Sequence, residues 1–204
     1  MTRAISADSP LLLGSGSPRR REILSGLGIP LVVAPAGVEE LELEGEAPLV
    51  YLERVVAEKL AAALDRARAP GSALLVADTI VVVGGELLNK PADVPDAVRL
   101  LRLLAGRTHE VFTRYALAKL DERRETVVSR TVMSKVSLRA ASEGELAAYA
   151  ATREGLDKAG AYAVQGIGAF LIERIEGSYT NVVGLPACEV VRDLVESGLL
   201  EHFP

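Results

Sequence analysis

The run ALLVADTIVVV, residues 73–83, is apolar at almost every position and on both faces of the strand that it predicts. A strand of this kind has to be covered on both sides, as in sheets that helices flank. Gly84 and Gly85 follow directly and predict a hairpin turn, after which a short return strand ends at Lys90 and Pro91. The sequence therefore predicts a long buried strand with a hairpin partner.

Strand and helix patterns alternate through the rest of the chain. A short apolar strand at 11–13 precedes a helix that Ser17 caps and Pro18 begins, and Gly28 is suited to the position just after its end. Ile23, Leu24 and Leu27 form the apolar stripe of that helix. Further strands are predicted at 30–35, 108–120, 126–138 and 169–177, and further helices at 48–68, 95–106, 142–151 and 186–198. This order predicts an α/β fold, a mixed twisted sheet flanked by helices, elongated and with two lobes.

Composition limits the class of protein. A chain of 204 residues fits one domain, or one domain split into two lobes around a cleft. Its net charge of −5 argues against a general nucleic-acid binder, so any phosphate site has to be local. No apolar run approaches the ~20 residues that span a bilayer, and the first residues lack the pattern of a secretory signal. We therefore expect a cytoplasmic protein without a membrane partner.

Cysteine and histidine give no sign of nucleophilic catalysis. Cys188 is the single cysteine, which excludes an internal disulfide and fits a reducing compartment, and its apolar surroundings in the sequence predict a small buried side chain. His109 lies in an alternating strand segment and His202 near the last residue, so we expect both to be structural or exposed. Serine-hydrolase and cysteine-nucleophile mechanisms lack the partners they need.

Three consecutive arginines, 19–21, open the first helix although a helix N-terminus is already electropositive. One interpretation is a solvated polar face. The other is an anion site, because backbone N–H groups at a glycine-rich turn bind phosphate oxygens and guanidinium groups pair with them in bidentate fashion. The turn is not a Walker A loop, since no Gly-Lys-Ser/Thr follows.

Two more charges interrupt apolar patterns. Asp78 lies within the long apolar strand, where a carboxylate is costly unless it is paired, binds a metal or meets a cleft. Lys59 falls on the apolar stripe of the second helix, where a lysine can also snorkel to solvent. Lys90 adds a cation after the hairpin, and Glu39 or Glu40 could reach the same place from the loop after the second strand.

Taken together, these charges suit a polyphosphate ligand. Cations neutralise phosphate oxygens, while two carboxylates hold Mg²⁺ or a similar hard ion and orient an attacking water. Hydrolysis at phosphorus is the reaction that this set of residues favours.

Four segments resemble, in order and spacing, the signatures of the Maf family of nucleoside triphosphate pyrophosphatases. They are GSGSPRR at 14–20, ADTIVV with NKP at 77–91, LDKAGAYAVQG at 156–166 and GSYTNVVGLP at 177–186. The resemblance covers nearly the whole chain. It implies a fold like that of inosine triphosphatase, with a central cleft between lobes, and metal-dependent cleavage of a nucleotide to the monophosphate and pyrophosphate.

The resemblance also implies roles for particular residues. Asp78 matches the catalytic carboxylate that accepts a proton from water, and Glu40, chosen over Glu39 by counting, matches its companion in the metal site. The positions that hold the phosphates are matched by Ser15, Arg20, Lys59 and Lys90. The positions associated with substrate choice are matched by Arg19, Thr79 and Gln165.

Those last three residues resemble the dTTP/UTP subfamily rather than the 7-methyl-GTP subfamily. A glutamine amide carries both a donor and an acceptor, which can pair with the O4/N3 edge of uracil or thymine. Two positions depart from the family pattern: Gly14 replaces a common alanine, and Leu60 stands where a small residue is usual.

The sequence thus predicts a pyrophosphatase that uses Mg²⁺ or Mn²⁺, with Co²⁺ as a further candidate, and acts on dTTP, UTP and related pyrimidine triphosphates. The resemblance implies a homodimer. The alternative hypothesis is a nucleotide-binding regulator of cell division or septum formation without essential turnover. A nucleic-acid-binding module is disfavoured by the acidic charge and the few aromatic residues.

Overall fold

A computed structural model describes residues 4–67 and 72–203. Its strands are β1 Leu11–Leu13, β2 Leu31–Val33, β3 Ala73–Val83, β4 Glu86–Leu88, β5 Thr108–Lys119, β6 Thr126–Leu138 and β7 Ile172–Glu176. Its helices are α1 Pro18–Gly26, α2 Pro48–Arg66, α3 Val94–Leu104, α4 Glu143–Ala151, α5 Tyr179–Val183 and α6 Ala187–Glu196. Two short 3-10 helices lie at Ala159–Ala161 and Gly166–Leu171.

The strands form one mixed sheet flanked by helices, which confirms the predicted fold class. Six strands follow the order β2-β1-β3-β5-β6-β7, and β4 pairs with β3 off this path. β1 is parallel to both β2 and β3, whereas the β3–β4 and β6–β7 pairs are antiparallel. β1 therefore lies inside the sheet, where its three leucines are buried.

β5 and β6 are neighbours in the sheet, as predicted. The hydroxyls of Thr108 and Ser137 lie 2.8 Å apart. Near the turn, the Lys119 N–H donates to the Glu125 carbonyl at 2.9 Å. One residue number rises as the other falls, so the two strands run antiparallel.

The chain divides into two compact units. The first unit comprises Met1–Asp78, Thr113–Thr131 and Gly184–Pro204, and the second unit comprises Thr79–Phe112 and Val132–Val183. The divisions fall inside β3, β5 and β6. The predicted cleft between two lobes stays a prediction.

In the first unit, α2 packs a broad apolar face that follows helical spacing. Its buried residues are Tyr51, Leu52, Val55, Val56, Lys59, Leu60 and Ala63. β1 leads into Gly14, whose N–H donates to the Leu75 carbonyl at 2.8 Å. A Cβ built on Gly14 would lie 2.7 Å from Val76 Cγ1, so the packing of β3 leaves no room for a methyl group at this position.

In the second unit, α3 and α4 contact each other over a core of aliphatic side chains and two tyrosines. Val81, Leu101, Leu104, Leu146 and Tyr149 belong to it. α3 begins after Asp93, whose side chain accepts the Asp96 N–H. α4 begins with a complete capping box between Ser142 and Glu145, as the sequence predicts.

Local signals placed most boundaries correctly, with three exceptions. The strand predicted from residue 169 begins only at Ile172, because a 3-10 helix occupies the preceding residues. α5 was not predicted. The helix predicted to end at Arg68 is observed to Arg66, and position 68 lies outside the described residues.

The prediction for Cys188 was wrong, because its side chain is exposed. α6 buries Val190 and Leu194, and Cys188 lies two residues before Val190, about 200° around the helix from it. In the described part of the chain, no helix combines the length and apolarity that a bilayer crossing requires.

Candidate active site

Arg20 is buried at the start of α1. Pro18 occupies the first helical position and the Ser17 hydroxyl caps the helix, which brings Arg20 into the first turn. Its Nε donates to the Gly184 carbonyl at 2.8 Å, and its Nη1 donates to the Ser15 hydroxyl at 2.9 Å. A positive charge is unfavourable at the N-terminus of a helix, and here two hydrogen-bond acceptors offset that cost for Arg20.

Three charged residues, Asp78, Glu40 and Arg19, affect the pKa of Arg20. Burial lowers the pKa of Arg20, as does Arg19, while the negative charges of Asp78 and Glu40 oppose this shift. Arg20 thus lies near both carboxylates. Arg19, the neighbouring residue in α1, is half-buried.

Lys59 joins the two carboxylates. Its Nζ donates to Asp78 Oδ1 at 2.8 Å and to Glu40 Oε1 at 2.5 Å. The side chains of Lys59 and Asp78 are 9% and 10% exposed, whereas that of Glu40 is 31% exposed. Lys59 does not snorkel to solvent; it carries its charge inward to two counter-ions.

The acidic loop that carries Glu40 is tied to α2. The Tyr51 hydroxyl donates to the Glu40 carbonyl at 3.4 Å, and burial followed by the charges of Asp78 and Glu40 raises the pKa of Tyr51. Arg54 donates to both carboxylate oxygens of Glu46, at 2.7 and 2.6 Å, and to the Leu41 carbonyl at 2.9 Å. The geometry therefore brings Glu40, the predicted choice over Glu39, to Lys59.

Three predicted site residues belong to the second unit. Thr79 follows Asp78 within β3, Lys90 follows β4, and Gln165 directly precedes the second 3-10 helix. Their predicted roles stay predictions. Ser15, Arg20, Glu40, Lys59 and Asp78 belong to the first unit and form two hydrogen-bonded sets there: Arg20 with Ser15, and Lys59 with Asp78 and Glu40.

The donor set of this cluster fits a hard divalent cation. Asp78 and Glu40 offer carboxylate oxygens that are both hydrogen-bonded to one nitrogen and so face the same place. Over residues 4–67 and 72–203, no group of three or more His, Cys, Asp or Glu side chains could hold a metal. Mg²⁺ commonly binds through one or two carboxylates together with substrate phosphates, so two protein carboxylates suffice.

Two residues that contact the cluster were not predicted from the sequence. Gly184, 164 positions after Arg20, supplies a carbonyl acceptor, and Tyr51 contacts the backbone of Glu40. The signal for Gly184 was its place in GSYTNVVGLP, one of the segments that carry the resemblance. Tyr51 has no signal beyond its helical spacing, because an aromatic residue there is equally suited to the core.

Fold and site define an α/β protein in which two buried cations lie beside the buried Asp78 and the partly exposed Glu40. The family model described as Maf-like protein matches residues 10–197, and the chain belongs to the Maf family.

Three similar curated proteins are each named dTTP/UTP pyrophosphatase. The protein from Geobacter sulfurreducens is 46% identical over 190 residues, 93% of this chain and 97% of its own length. That from Myxococcus xanthus is 48% identical over 196 residues, 96% of both chains. That from Geobacter metallireducens is 46% identical over 193 residues, 95% of this chain and 98% of its own.

Proposed function

We propose that this protein is a divalent-metal-dependent pyrophosphatase that hydrolyses dTTP, UTP and related pyrimidine triphosphates to the monophosphate and pyrophosphate. One observation carries the proposal: Lys59 joins Asp78 and Glu40 beside the buried Arg20. The names of the similar proteins support the substrate and the reaction.

The cations of the cluster bind the phosphates. Arg20 is oriented by the Gly184 carbonyl and the Ser15 hydroxyl, so its guanidinium group meets a phosphate oxygen without first losing conformational freedom. Lys59 carries three N–H donors, and its two bonds to carboxylates do not exhaust them. Lys90 completes the proposed phosphate-binding set. These groups stabilise the charge that develops on the leaving pyrophosphate.

Asp78 is the proposed base. It accepts a proton from a water whose oxygen attacks the α-phosphorus, and the bond from that phosphorus to the oxygen bridging to the β-phosphorus breaks. Its hydrogen bond to Lys59 orients the carboxylate. The products are the nucleoside monophosphate and pyrophosphate.

Asp78 and Glu40 would hold the metal, for which Mg²⁺, Mn²⁺ and Co²⁺ are the candidates. Such an ion supplies charge neutralisation at the phosphate oxygens when it is bound. Arg19, Thr79 and Gln165 are the residues that we propose for the choice of base.

The proposal also covers the domain organisation, localisation, oligomeric state and partners of the protein. We infer a single domain that acts in the cytoplasm as a homodimer, with a nucleotide as substrate and with neither nucleic acid nor membrane as partner. The acidic net charge of −5 supports the exclusion of nucleic acid.

Product analysis tests the reaction. Purified protein with dTTP and Mg²⁺ should release dTMP and pyrophosphate in equal amounts, measured by anion-exchange chromatography and an assay specific for pyrophosphate. Release of dTDP and orthophosphate would show that a different bond is cleaved. Binding of nucleotide without turnover in Mg²⁺, Mn²⁺ and Co²⁺ would instead favour the nucleotide-binding regulator.

The variant Asp78→Asn tests the base. We expect kcat to fall by about 10²–10⁴-fold, the usual contribution of general base catalysis, while dTTP still binds by calorimetry. Asp8→Asn, which changes an exposed aspartate, is the matched control and should keep full activity. An Asp78→Asn variant with unchanged kcat would refute this role.

A further inference from the structure

The segment that carries Gln165 is held by one glutamate and one tyrosine of the second unit. The Glu154 carboxylate accepts the N–H of Ile167 at 2.8 Å and that of Gly168 at 2.7 Å. The Tyr149 hydroxyl donates to Glu154 at 3.0 Å and accepts the N–H of Ala163 at 3.0 Å. Backbone donors on both sides of Gln165 therefore end on this single pair of side chains.

The same segment closes tightly around the pair. A Cβ on Gly166, where φ is +68°, would lie 2.2 Å from Glu154 Oε1. A Cβ on Gly168 would lie 2.3 Å from the Ala163 carbonyl and 2.5 Å from the Tyr149 hydroxyl. Only glycine at both positions allows this close approach. The backbone of the segment therefore packs directly against the Glu154 carboxylate and the Tyr149 hydroxyl.

Glu154 reaches this position from the end of α4. Thr152 caps the helix, and Arg153 adopts a left-handed φ of +64°. The Thr152 hydroxyl then accepts the Glu154 N–H at 3.3 Å. Burial raises the pKa of Glu154, but the hydrogen bonds from Gly168, Ile167 and Tyr149, together with the charge of Lys158, outweigh it and leave that pKa below its usual value. The acceptor is thus an anion, whose hydrogen bonds are stronger than neutral ones.

We propose that Glu154, acting with Tyr149, is a positioning residue that fixes the backbone of Gln165 for the choice of base. The inference rests on the proposed function, because it takes Gln165 as the group that meets the base. An amide end presents a donor and an acceptor together, so its selectivity for uracil over cytosine depends on where its backbone holds it. If the backbone at Gln165 is less rigidly held, its side-chain amide can pair with cytosine as well as with uracil.

The tests use Glu154→Gln and Tyr149→Phe in the full-length protein. Each variant keeps the shape of its side chain and removes part of the acceptor set. We expect amide exchange at Ile167 and Gly168 to accelerate about tenfold or more. We also expect the ratio of kcat/KM for UTP to that for CTP to fall about tenfold.

A double-mutant comparison separates positioning from general damage. In a Gln165→Ala background, Glu154→Gln should change the UTP/CTP ratio no further, since the group it positions is gone. Glu143→Gln is the matched control, because Glu143 lies on α4 and pairs with Arg102 at the surface. It should leave both exchange and selectivity unchanged.

Two results would overturn the inference: unchanged exchange at Ile167 and Gly168, or an equal loss of kcat/KM for UTP and CTP with no change in their ratio. If the wild-type protein hydrolyses no triphosphate, the proposed function fails and the role in base selection fails with it. Amide exchange would then still report whether Glu154 holds the segment, so the two failures are distinguishable.

Discussion

Lys59 and Arg20 place two positive charges in the interior of the first unit, and each has specific acceptors. Lys59 meets two carboxylates, and Arg20 meets a carbonyl and a hydroxyl. A buried charge without such partners costs several kcal/mol, so the partners determine whether the fold tolerates it. The residues proposed to bind phosphate are therefore also residues on which the stability of the fold depends.

Replacing Lys59 by methionine should therefore destabilise the protein. The variant leaves Asp78 and Glu40 close together without their shared cation, and we expect the free energy of unfolding to fall by about 3 kcal/mol. Urea denaturation at pH 7.5 with EDTA measures the effect in the absence of divalent ions. Lys135→Met, which changes an exposed lysine of β6, should stay within about 0.5 kcal/mol of wild type. Equal stability of the two variants would contradict the buried ion pairs.

At the scale of residues, the sequence identified charges that break a pattern but not their partners. Asp78 and Lys59 stood out because each interrupts an apolar run. Gly184 could not be assigned as the acceptor of Arg20 from spacing alone, since 164 positions separate them. Cys188 was misassigned because an apolar neighbourhood in sequence does not decide which face of a helix is buried.

The elements β1, α2 and β3 meet closely at Gly14. A methyl group there would lie 2.7 Å from Val76 Cγ1 and 3.3 Å from Ala63 Cβ. Gly14→Ala should therefore lower the free energy of unfolding by about 1–3 kcal/mol through overpacking. Urea denaturation is the measurement. Gly26→Ala, at the end of α1 with open space around its Cβ, is the control and should be neutral or stabilising.

A second substitution identifies the contact. Val76→Ala removes the methyl group that the new Cβ meets. The double variant Gly14→Ala/Val76→Ala should be more stable than the sum of the two single effects predicts, by about 1 kcal/mol. Strict additivity would show that the cost arises elsewhere.

At the scale of elements, the sequence correctly predicted the helix starts and the turn that local residue chemistry determines. Ser17 with Pro18, the Gly84–Gly85 turn and the Ser142 capping box each have a local cause, and each was confirmed. The start of β7 was missed because a 3-10 helix and a strand are equally compatible with the apolar run before Ile172. In that case tertiary contacts decide the conformation.

Stability of the whole molecule should fall in mild acid because of His109. This residue is 2% exposed, its Nε2 lies 2.7 Å from the Tyr162 hydroxyl, and burial lowers its pKa to about 4. An unfolded histidine has a pKa near 6.5, so the unfolded chain binds more protons between pH 6.5 and 4. From pH 7.5 to pH 5, we expect this residue to reduce the free energy of unfolding by about 2 kcal/mol.

His109→Gln measures that contribution. Urea denaturation at both pH values should show a pH dependence smaller by about 2 kcal/mol in the variant, since glutamine does not titrate. His202→Gln removes an exposed histidine and should keep the wild-type dependence. If both variants followed the wild type, another group would have to account for the acid sensitivity.

At the scale of the molecule, the sequence predicted the kind of sheet but not which segments share a unit. The mixed sheet follows from combining crossover units with hairpins. The grouping depends on contacts such as that of the Ile5 N–H with the Leu199 carbonyl at 2.8 Å, which no local pattern reveals.

The first unit is assembled from three separate stretches of chain, and this has a consequence for biosynthesis. At roughly 5–20 residues per second, a ribosome adds Gly184 on the order of ten seconds after Arg20. Throughout that interval the nascent guanidinium group lacks its distant carbonyl and stays hydrated. The core of the first unit can therefore be completed only after the segment from Gly184 onward has been synthesised.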